Sequence, residues 1–425
     1  LQAAAGVACL SMTGAGIGVR PVRRSADGTP WPAWRRGMRA NTWRAIPASN
    51  TVRSIDPARN PALNPYLASN PNDNRGPWGA VLGQTGVVIP WCGGCYDRDG
   101  DTLWLPLGGG HGDYGGNEAY AIRLSDEAPI WRMPRPPSGS IPLGLITLND
   151  GQEATGLYAD GRPRAIHSYN KHVYVPGRGP FCAVQGSTYA SGQSGTTRSL
   201  LLDPASGEWS LRASHPAAGV EYGAAAYDET RDAVWWLGAA AARLSRHDIA
   251  SNQWQVFDAG SEANVWSYHA LTFVPGHDVL VMLSANLPQA FAVWDAATAQ
   301  MLQPGAVNAP PAHLSQVGGK AGGQWVPGLN AVAMWHNQTA GSTGAITLLR
   351  APANPRTQPW TWDSLPVAAA NTVLPTVASP NGTYGRFGHA PGLDGFYVFN
   401  GVDEPVYFYA SSDGDLLFAN GFDAA

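Results

Sequence analysis

Lysine is nearly missing from this sequence. Lys171 and Lys320 are the only lysines among 27 basic residues, and charged residues make up 14% of the 425 positions. The net charge of −4 provides no broad basic surface, which argues against a general nucleic-acid-binding protein. No uninterrupted apolar run reaches the roughly 18 residues that a transmembrane helix needs, so we expect no membrane span.

Cysteine is also scarce. Two of the four cysteines, Cys92 and Cys95, have the spacing of a redox or metal-binding pair. A zinc site would need two more soft ligands, and the sequence contains neither a second CxxC nor an HxxxH pattern. We therefore expect a structural disulfide or inert thiols, with redox or metal chemistry as the alternative. No cofactor is expected, and a structural metal ion remains an open alternative.

The chain begins with a small, apolar segment. Residues 1–18 precede Arg20 and resemble the remainder of a signal peptide, with Cys9 near a lipidation position. A disordered leader is the alternative. We expect a secreted, periplasmic or cell-surface monomer, divided into a leader or extended segment (1–40), a main domain (41–410) and a C-terminal tail (411–425).

Turn formers and aromatic residues are abundant instead. The 51 Gly, 35 Pro and 17 Trp indicate many short strands joined by tight turns. One unit recurs six times: a strand, a tight turn, and a second hydrophobic strand. Pro and Gly preset such turns and supply positive φ angles. The six turns lie at 97–101, 175–178, 228–232, 274–278, 326–330 and 390–394.

The six units predict an all-β protein, a β-propeller with six blades. Most units end in an outer strand with a tryptophan, and the last unit lacks this strand. Residues 41–47 near the N-terminus supply a matching segment, so strands from both chain ends would close the ring. A seventh blade could lie in 136–165 or 48–80. The tryptophans assigned to outer strands are Trp131, Trp209, Trp254, Trp294 and either Trp360 or Trp362.

A glycine-rich segment links this architecture to a known family. The run from Gly108 to Glu118, followed by Ala119–Ile122, resembles a blade of the kelch-type, galactose-oxidase-like propellers. The resemblance covers roughly residues 80–410 and implies the fold. It implies little about activity, because propellers support many unrelated functions.

Aligning the six units on their turns predicts a shared site. Four of the six residues that precede the inner strands are tyrosine, and the residues two positions later are mostly small. The first set is Trp91, Tyr169, Tyr222, Tyr268, Lys320 and Tyr384, and the second is Gly93, Lys171, Ala224, Ala270, Gly322 and Arg386. We expect the first set to gather where the inner strands begin, beside the glycine-rich loop.

The residues expected there favour acid–base chemistry on an acidic glycan. Tyr and His act as general acids and bases, Arg and Lys pair with carboxylates, and aromatic rings stack on sugars. We predict the catalytic residues to be His111, His167, Tyr169, Tyr268 and His269. We predict substrate binding by Arg164, Lys171, Tyr114, Asn117, Tyr222, Trp266, Tyr384 and Arg386. The expected partner is an acidic polysaccharide or oligosaccharide.

This rim is similar to that of polysaccharide lyases built on propellers, which act on ulvan, oligogalacturonate and rhamnose–glucuronate linkages. The resemblance implies β-elimination from a uronic acid. Three alternatives stay open. The first is a propeller that only binds glycans. The second is a glycoside hydrolase, for which Asp113, Glu118 and the Asp403–Glu404 pair supply carboxylates. The third is a copper radical oxidase, which the adjacent Tyr268 and His269 resemble, with His389 as a further ligand.

Overall fold

The computed structural model describes residues 30–69, 78–79, 82–140, 151–191, 195–217, 222–238, 244–257, 268–284, 287, 289–312, 320–335 and 344–414. Within these residues the chain is almost entirely strands and loops. Its one α-helix, α1 (Ala33–Arg36), is a single turn. None of the helices in this part of the chain has the length and apolar character needed to cross a bilayer.

The strands form six four-stranded antiparallel sheets. β1 (Thr42–Ala45) comes first in the chain and belongs to the last blade. Five complete blades then follow in chain order. The first has β2 (Cys95–Asp97), β3 (Thr102–Leu105), β4 (Ala119–Arg123) and β5 (Arg132–Arg135). The second has β6 (His172–Val175), β7 (Gly179–Cys182), β8 (Arg198–Leu202) and β9 (Trp209–Ser214). The third has β10 (Gly223–Asp228), β11 (Ala233–Gly238), β12 (Leu244–Asp248) and β13 (Gln253–Val256).

The remaining strands complete the ring. The fourth blade has β14 (Ala270–Val274), β15 (Val279–Leu283), β16 (Phe291–Asp295) and β17 (Met301–Leu302). The fifth has β18 (Gly322–Val326), β19 (Ala331–Trp335), β20 (Ile346–Arg350) and β21 (Thr361–Leu365). The sixth has β22 (Phe387–Ala390), β23 (Gly395–Phe399) and β24 (Val406–Ala410), with β1 as its outer strand. The six-bladed propeller predicted from the repeat is confirmed.

The ring closes between the two ends of the chain. β1 pairs with β24 in antiparallel register, with Trp43 opposite Tyr409. The two rings pack edge to face with centroids 5.3 Å apart, and the Trp43 indole N–H donates to the carbonyl of Gly344 at 2.9 Å. This pairing covers the edge that β24 would otherwise expose, as the sequence predicted.

All six predicted turns join the first strand of a blade to the second, but the left-handed residue is not the expected one. Gly177 has positive φ in the second blade. In the other five turns the last residue, an aspartate or asparagine, takes the left-handed conformation, because its short polar side chain tolerates it. These five residues, with φ between 47° and 53°, are Asp101, Asp232, Asp278, Asn330 and Asp394.

Two details of the blade prediction need correction. Trp294 lies in β16, the third strand of its blade, and the outer strand is the short β17. The described parts of 48–80 and 136–165 contain no strand, so they hold no seventh blade there. Residues 30–40, expected to belong to an extended leader, pack on the sixth blade. Trp31 donates to the Gly392 carbonyl at 2.6 Å, and Arg35 to that of Leu393 at 2.6 Å.

The three described cysteines are buried free thiols. Cys92 and Cys95 therefore form no disulfide. Of the two expected structural roles, a disulfide or inert thiols, the second remains. Burial raises the pKa of Cys92 to about 11 and that of Cys182 to about 12, and it raises the pKa of Cys95 well above its usual value. A thiol that stays protonated is a poor nucleophile and a poor metal ligand.

The first strands of the six blades surround the central channel. We call the end where these strands begin the start end, and the end that carries the six turns the turn end. Between them the backbones are in close contact. A Cβ added to Gly93 would overlap the carbonyl oxygen of Tyr169, and one added to Gly322 would overlap that of Tyr384. The small residues predicted for a crowded channel therefore separate two distinct ends.

Candidate functional site

Four tyrosine rings meet at the start end of the channel, where the register of the blades predicts them. We call Tyr169, Tyr222, Tyr268 and Tyr384 the tyrosine cluster. The ring centroid of Tyr169 lies 5.3 Å from that of Tyr222, 6.0 Å from Tyr268 and 5.9 Å from Tyr384. Tyr169 and Tyr384 are buried, whereas Tyr222 and Tyr268 are half-buried. The cluster thus has a deep part and a part nearer the surface.

The backbone of this cluster is strained. Trp91, Tyr169 and Tyr384 occupy equivalent positions before their inner strands, and all three are left-handed, with φ of 54°, 43° and 48°. Hydrogen bonds between neighbouring blades hold them: the Tyr169 N–H donates to the Trp91 carbonyl at 2.7 Å, and the Tyr384 N–H to that of Lys320 at 3.1 Å. Bulky residues adopt this conformation rarely, and such strain concentrates at functional sites.

A histidine–aspartate pair lies next to the cluster. His167 Nε2 and Asp113 Oδ2 are 2.8 Å apart. Burial lowers the pKa of His167 to about 4, although the hydrogen bond to Asp113 opposes this shift and the nearby His111 adds to it. A neutral imidazole beside a carboxylate donates its Nε2 proton to it. The lone pair of Nδ1 is then the basic position of His167.

Three aromatic rings surround the imidazole of His167. Its centroid lies 4.5 Å from that of His111, 5.0 Å from that of Trp91 and 6.0 Å from that of Tyr169. His111 and Asp113 come from the glycine-rich loop, and both stay partly exposed. The loop can approach this closely because Gly110 is left-handed, with φ of 86°, and a Cβ there would overlap the His167 ring.

Both lysines of the chain lie at the tyrosine cluster. Lys171 Nζ is 5.3 Å from the ring centroid of Tyr169, and Lys320 Nζ is 5.4 Å from that of Tyr268. Lys171 is almost fully buried and donates to the carbonyl of Gln185 at 3.1 Å. Lys320 is half-buried, and partial burial lowers its pKa. The site therefore has one buried ammonium and one nearer the surface.

The two arginines predicted to bind substrate are buried in the protein. Arg164 donates to the Leu157 carbonyl at 2.8 Å and stacks on the Tyr158 ring at 4.6 Å. Arg386 donates to the carbonyl of Cys92 at 2.9 Å and to those of Phe399 and Gly382. Neither guanidinium has any exposed surface. Their place is in the scaffold, because their donors already serve carbonyls that burial removes from water.

Three further predicted residues also face the interior. Tyr114 is fully buried in the hydrophobic core. Asn117 donates to the carbonyl of Pro163 at 2.7 Å and to Ser138. His269 points away from the cluster, and its Nε2 lies 2.8 Å from the Leu237 carbonyl oxygen. These placements correct the prediction that the three side chains line a surface site. Trp266 lies outside the described residues.

The carboxylates and histidines considered for other chemistry are dispersed. Glu118 is buried, and its Oε1 accepts from Tyr120 at 3.1 Å. Asp403 pairs with Arg53 at 3.1 Å. His389 lies in β22, on the turn-end side of Arg386. Among the described residues no group of three His, Cys, Asp or Glu side chains is placed to hold a metal ion. Glu404 accepts from the Tyr407 hydroxyl at 3.2 Å, whereas Asp113 contacts His167 beside the cluster.

Three residues of the site were not assigned a role from the sequence. Trp91 and Lys320 stood in the aligned column of the six units, but neither was proposed as functional. Asp113 was considered only as a hydrolase carboxylate, and its partner His167 lies 54 residues away in the chain. The scarcity of lysine was the one sequence signal that could have identified Lys320. No family model matches this chain, and the search of curated proteins found no match either.

Proposed function

We propose that the start end is the active site of a lyase that cleaves a uronic-acid-containing glycan by β-elimination. The observation that carries the proposal is the pairing of His167 with Asp113 beside Tyr169, at a cluster that also holds Lys320. These groups supply a base, an acid and a cation, which are the three functions that such an elimination needs.

The use of lysine supports this reading. All basic residues of the chain except two are arginine, and both exceptions lie within 5.4 Å of a ring of the tyrosine cluster. An ammonium group is a compact point charge that can shift its pKa, whereas a guanidinium stays protonated and prefers planar, bidentate partners. A site that needs a small cation close to reacting atoms has a reason to keep lysine where the rest of the chain uses arginine.

Each of these residues has its own role in the reaction. Lys320 pairs with the uronate carboxylate and stabilises the charge that develops as the α-proton leaves. Nδ1 of His167 takes this proton from C5, because burial keeps the imidazole neutral and the hydrogen bond to Asp113 orients it. The C5–H electron pair forms the C4–C5 double bond and the C4–O4 bond breaks. The Tyr169 hydroxyl protonates the leaving oxygen, and the nearby Lys171 ammonium stabilises the resulting phenolate.

The positions of the carboxylates favour elimination over hydrolysis. A glycosidase of the usual kind needs two carboxyl groups about 5–9 Å apart on either side of the bond. Of the acidic residues considered from the sequence, Glu118 faces the core, Asp403 pairs with Arg53 and Glu404 accepts from Tyr407, which leaves Asp113 at the cluster. Trp91, Tyr222 and Tyr268 keep exposed ring surface on which sugars can stack.

Ultraviolet absorbance of the new conjugated double bond tests the proposal. We expect it to rise when the protein is incubated with at least one of polygalacturonate, polyglucuronate and ulvan. Tyr169→Phe and His167→Gln should each slow the reaction by about 100-fold or more, since each removes a proton-transfer group. Tyr227→Phe is the matched control, because Tyr227 lies at the turn end and bonds Asp232.

Substitutions at Lys320 separate the effect of its positive charge on activity from the effect of its size. Lys320→Met should lower kcat/KM on polyuronates, and Lys320→Arg should restore part of it because the positive charge returns. Binding of a polyuronate without any absorbance change would contradict the lyase and favour the glycan-binding alternative. Equal rates for wild type and Tyr169→Phe would also contradict the proposed mechanism.

A further inference from the structure

A second cavity opens at the turn end of the channel. It has a volume of about 180 Å³, and no residue of the tyrosine cluster lines it. Its walls come from the first strands of all six blades and carry seven aromatic side chains, including Tyr96, Tyr174, Tyr227 and Trp325. Since the crowded backbone around Gly93 and Gly322 separates it from the start end, this cavity is a site of its own.

His172 is the polar group deep in this cavity. It is 5% exposed, and neither ring nitrogen has a hydrogen-bond partner among the described residues. Burial, with a smaller effect from the charge of Lys171, lowers its pKa to about 3. The ring is therefore neutral at physiological pH, with one N–H donor and one acceptor. A buried imidazole with both positions unused destabilises the free protein and is satisfied by a ligand that offers a donor and an acceptor.

The mouth of the cavity carries opposite charges. Arg98 is the one cation and Glu229 the one carboxylate among the lining residues, and both are exposed. Desolvation by the surrounding residues lowers the pKa of Arg98, and the negative charge of Glu229 opposes this shift. Gly93 and Lys171 are equivalent positions in neighbouring blades. His172 and Arg98 therefore lie about four strand residues apart along the channel, roughly 13 Å.

We propose that the turn-end cavity binds a small aromatic carboxylate that carries a hydroxyl group at its opposite end. The carboxylate would pair with the Arg98 guanidinium at the mouth, and the ring would lie between the aromatic walls. The hydroxyl would bond the His172 nitrogen that faces the cavity, as donor to an unprotonated nitrogen or as acceptor from a protonated one. This site goes beyond the proposed elimination and does not depend on it.

The cavity volume limits the ligand to a single ring. A cavity of about 150 Å³ accommodates benzene, and drug-sized ligands occupy sites of about 300 Å³ or more. The turn-end cavity falls between these values. Gln324 adds amide donors, because its Oε1 already accepts from the backbone N–H of His389 at 2.8 Å. The Gln324 amide and the Arg98 guanidinium are donors that suit a carboxylate, and the Glu229 carboxylate opposes one.

Calorimetric titration of the full chain with 4-hydroxybenzoate tests the site, with benzoate and benzyltrimethylammonium as comparison ligands. We expect 4-hydroxybenzoate to bind more tightly than benzoate and the cation not to bind. Arg98→Gln should weaken binding by about tenfold through loss of a charge-assisted hydrogen bond. His172→Phe should also weaken it by about tenfold, because the new ring offers no hydrogen bond to the ligand hydroxyl. Arg39→Gln, an exposed change on the outer side of the sixth blade, is the matched control.

The Glu229→Gln variant tests whether the ligand is an anion or a cation. Removing this carboxylate should tighten binding of a carboxylate by about threefold, because a like charge leaves the mouth. Tighter binding of benzyltrimethylammonium than of 4-hydroxybenzoate, or weaker 4-hydroxybenzoate binding in Glu229→Gln, would overturn the assignment. So would the absence of titration heat and of any ligand-induced rise in Tm. His167→Gln should leave 4-hydroxybenzoate binding unchanged, which keeps this result separate from that of the elimination assay.

Discussion

The two ends of the channel are built by the same six strands and differ in chemistry. At the start end the residues lie before the strands and include two lysines, a histidine–aspartate pair and the tyrosine cluster. At the turn end the walls carry seven aromatic side chains, with His172 inside and Arg98 at the mouth. The difference shows that one set of strands can form two chemically unlike ends when small residues close the middle of the channel.

Backbone strain also distinguishes the ends. At the start end, Trp91, Tyr169 and Tyr384 are left-handed although each is bulky. At the turn end the left-handed positions fall on residues such as Asp232 and Asn330, which tolerate that conformation. The turns therefore need no outside support, whereas the start end depends on hydrogen bonds between blades. Strain that the fold must hold in place is more typical of a working site than of a connecting loop.

The largest effect on stability should come from a substitution in the crowded middle of the channel, which separates the two ends. Gly93→Ala places a Cβ against the carbonyl oxygen of Tyr169, so neighbouring blades must move apart. We expect a loss of about 3 kcal/mol or more in the free energy of unfolding and a lower Tm. Gly276→Ala is the matched control, because a Cβ there meets nothing within 4 Å. Thermal unfolding of both variants checks this, and equal Tm values would contradict it.

Removing the charge of Asp113, the partner of His167, should reduce activity and leave the turn end unaffected. Asp113→Asn keeps the shape of the side chain but not the charge that orients His167. We expect kcat on a polyuronate to fall by about 100-fold, with Tm and turn-end ligand binding unchanged. Asp99→Asn, on an exposed residue of the first turn, should leave kcat at its wild-type value. A similar loss in both variants would remove the distinction between the ends.

The pH profile of kcat/KM should report the same pair. His167 must be neutral to act as a base, and burial lowers its pKa to about 4. We therefore expect the acidic limb of the profile near pH 4, well below the value of about 6.5 for an ordinary histidine. In Asp113→Asn the limb should move lower still, because the carboxylate favours the protonated ring. A limb near 6.5 in the wild type would point to a different base.

The stability of the loop that supports the start end should depend on pH. Burial raises the pKa of Glu118 to about 7, so the folded protein prefers the protonated carboxyl. This contribution is fully present below the unfolded value of about 4.3 and is lost as the pH rises through 7. Glu118→Gln should therefore raise Tm more at pH 8 than at pH 5. Glu229→Gln at the turn end should show no such difference.

The turn end should gain stability when its unpaired imidazole is removed. His172→Leu deletes two unpartnered ring nitrogens, so we expect a gain of about 1–2 kcal/mol in unfolding free energy. The gain should grow as the pH falls from 6.5 toward 3, because the folded state resists protonation of His172. His277→Leu, in a turn near the surface, is the control. Denaturant titrations at pH 8 and pH 5 check both statements.

The site was less predictable than the ring. Arg164 and Arg386 were chosen because they stand next to the tyrosines in the chain, yet both side chains turn inward to carbonyls. Asp113 was chosen for hydrolysis and instead pairs with His167 from the next blade. His167 and Cys92, the partners of Asp113 and Arg386, lie far away in the chain, whereas Arg164 turns back to Leu157, seven residues earlier. Spacing along one strand cannot reveal which neighbouring blade a side chain meets.

The six-bladed ring and the alignment of its strands follow from short-range features of the sequence. Pro, Gly, Asp and Asn act on the backbone over four or five residues, so the six turns were visible locally, and the alternation of strands then aligned the tyrosines of four blades. Contacts between blades, which are visible only in the folded protein, set which aligned side chains face the channel and which are buried. The reason is that the direction of a residue such as Tyr169 depends on a left-handed φ held by a hydrogen bond to the neighbouring blade.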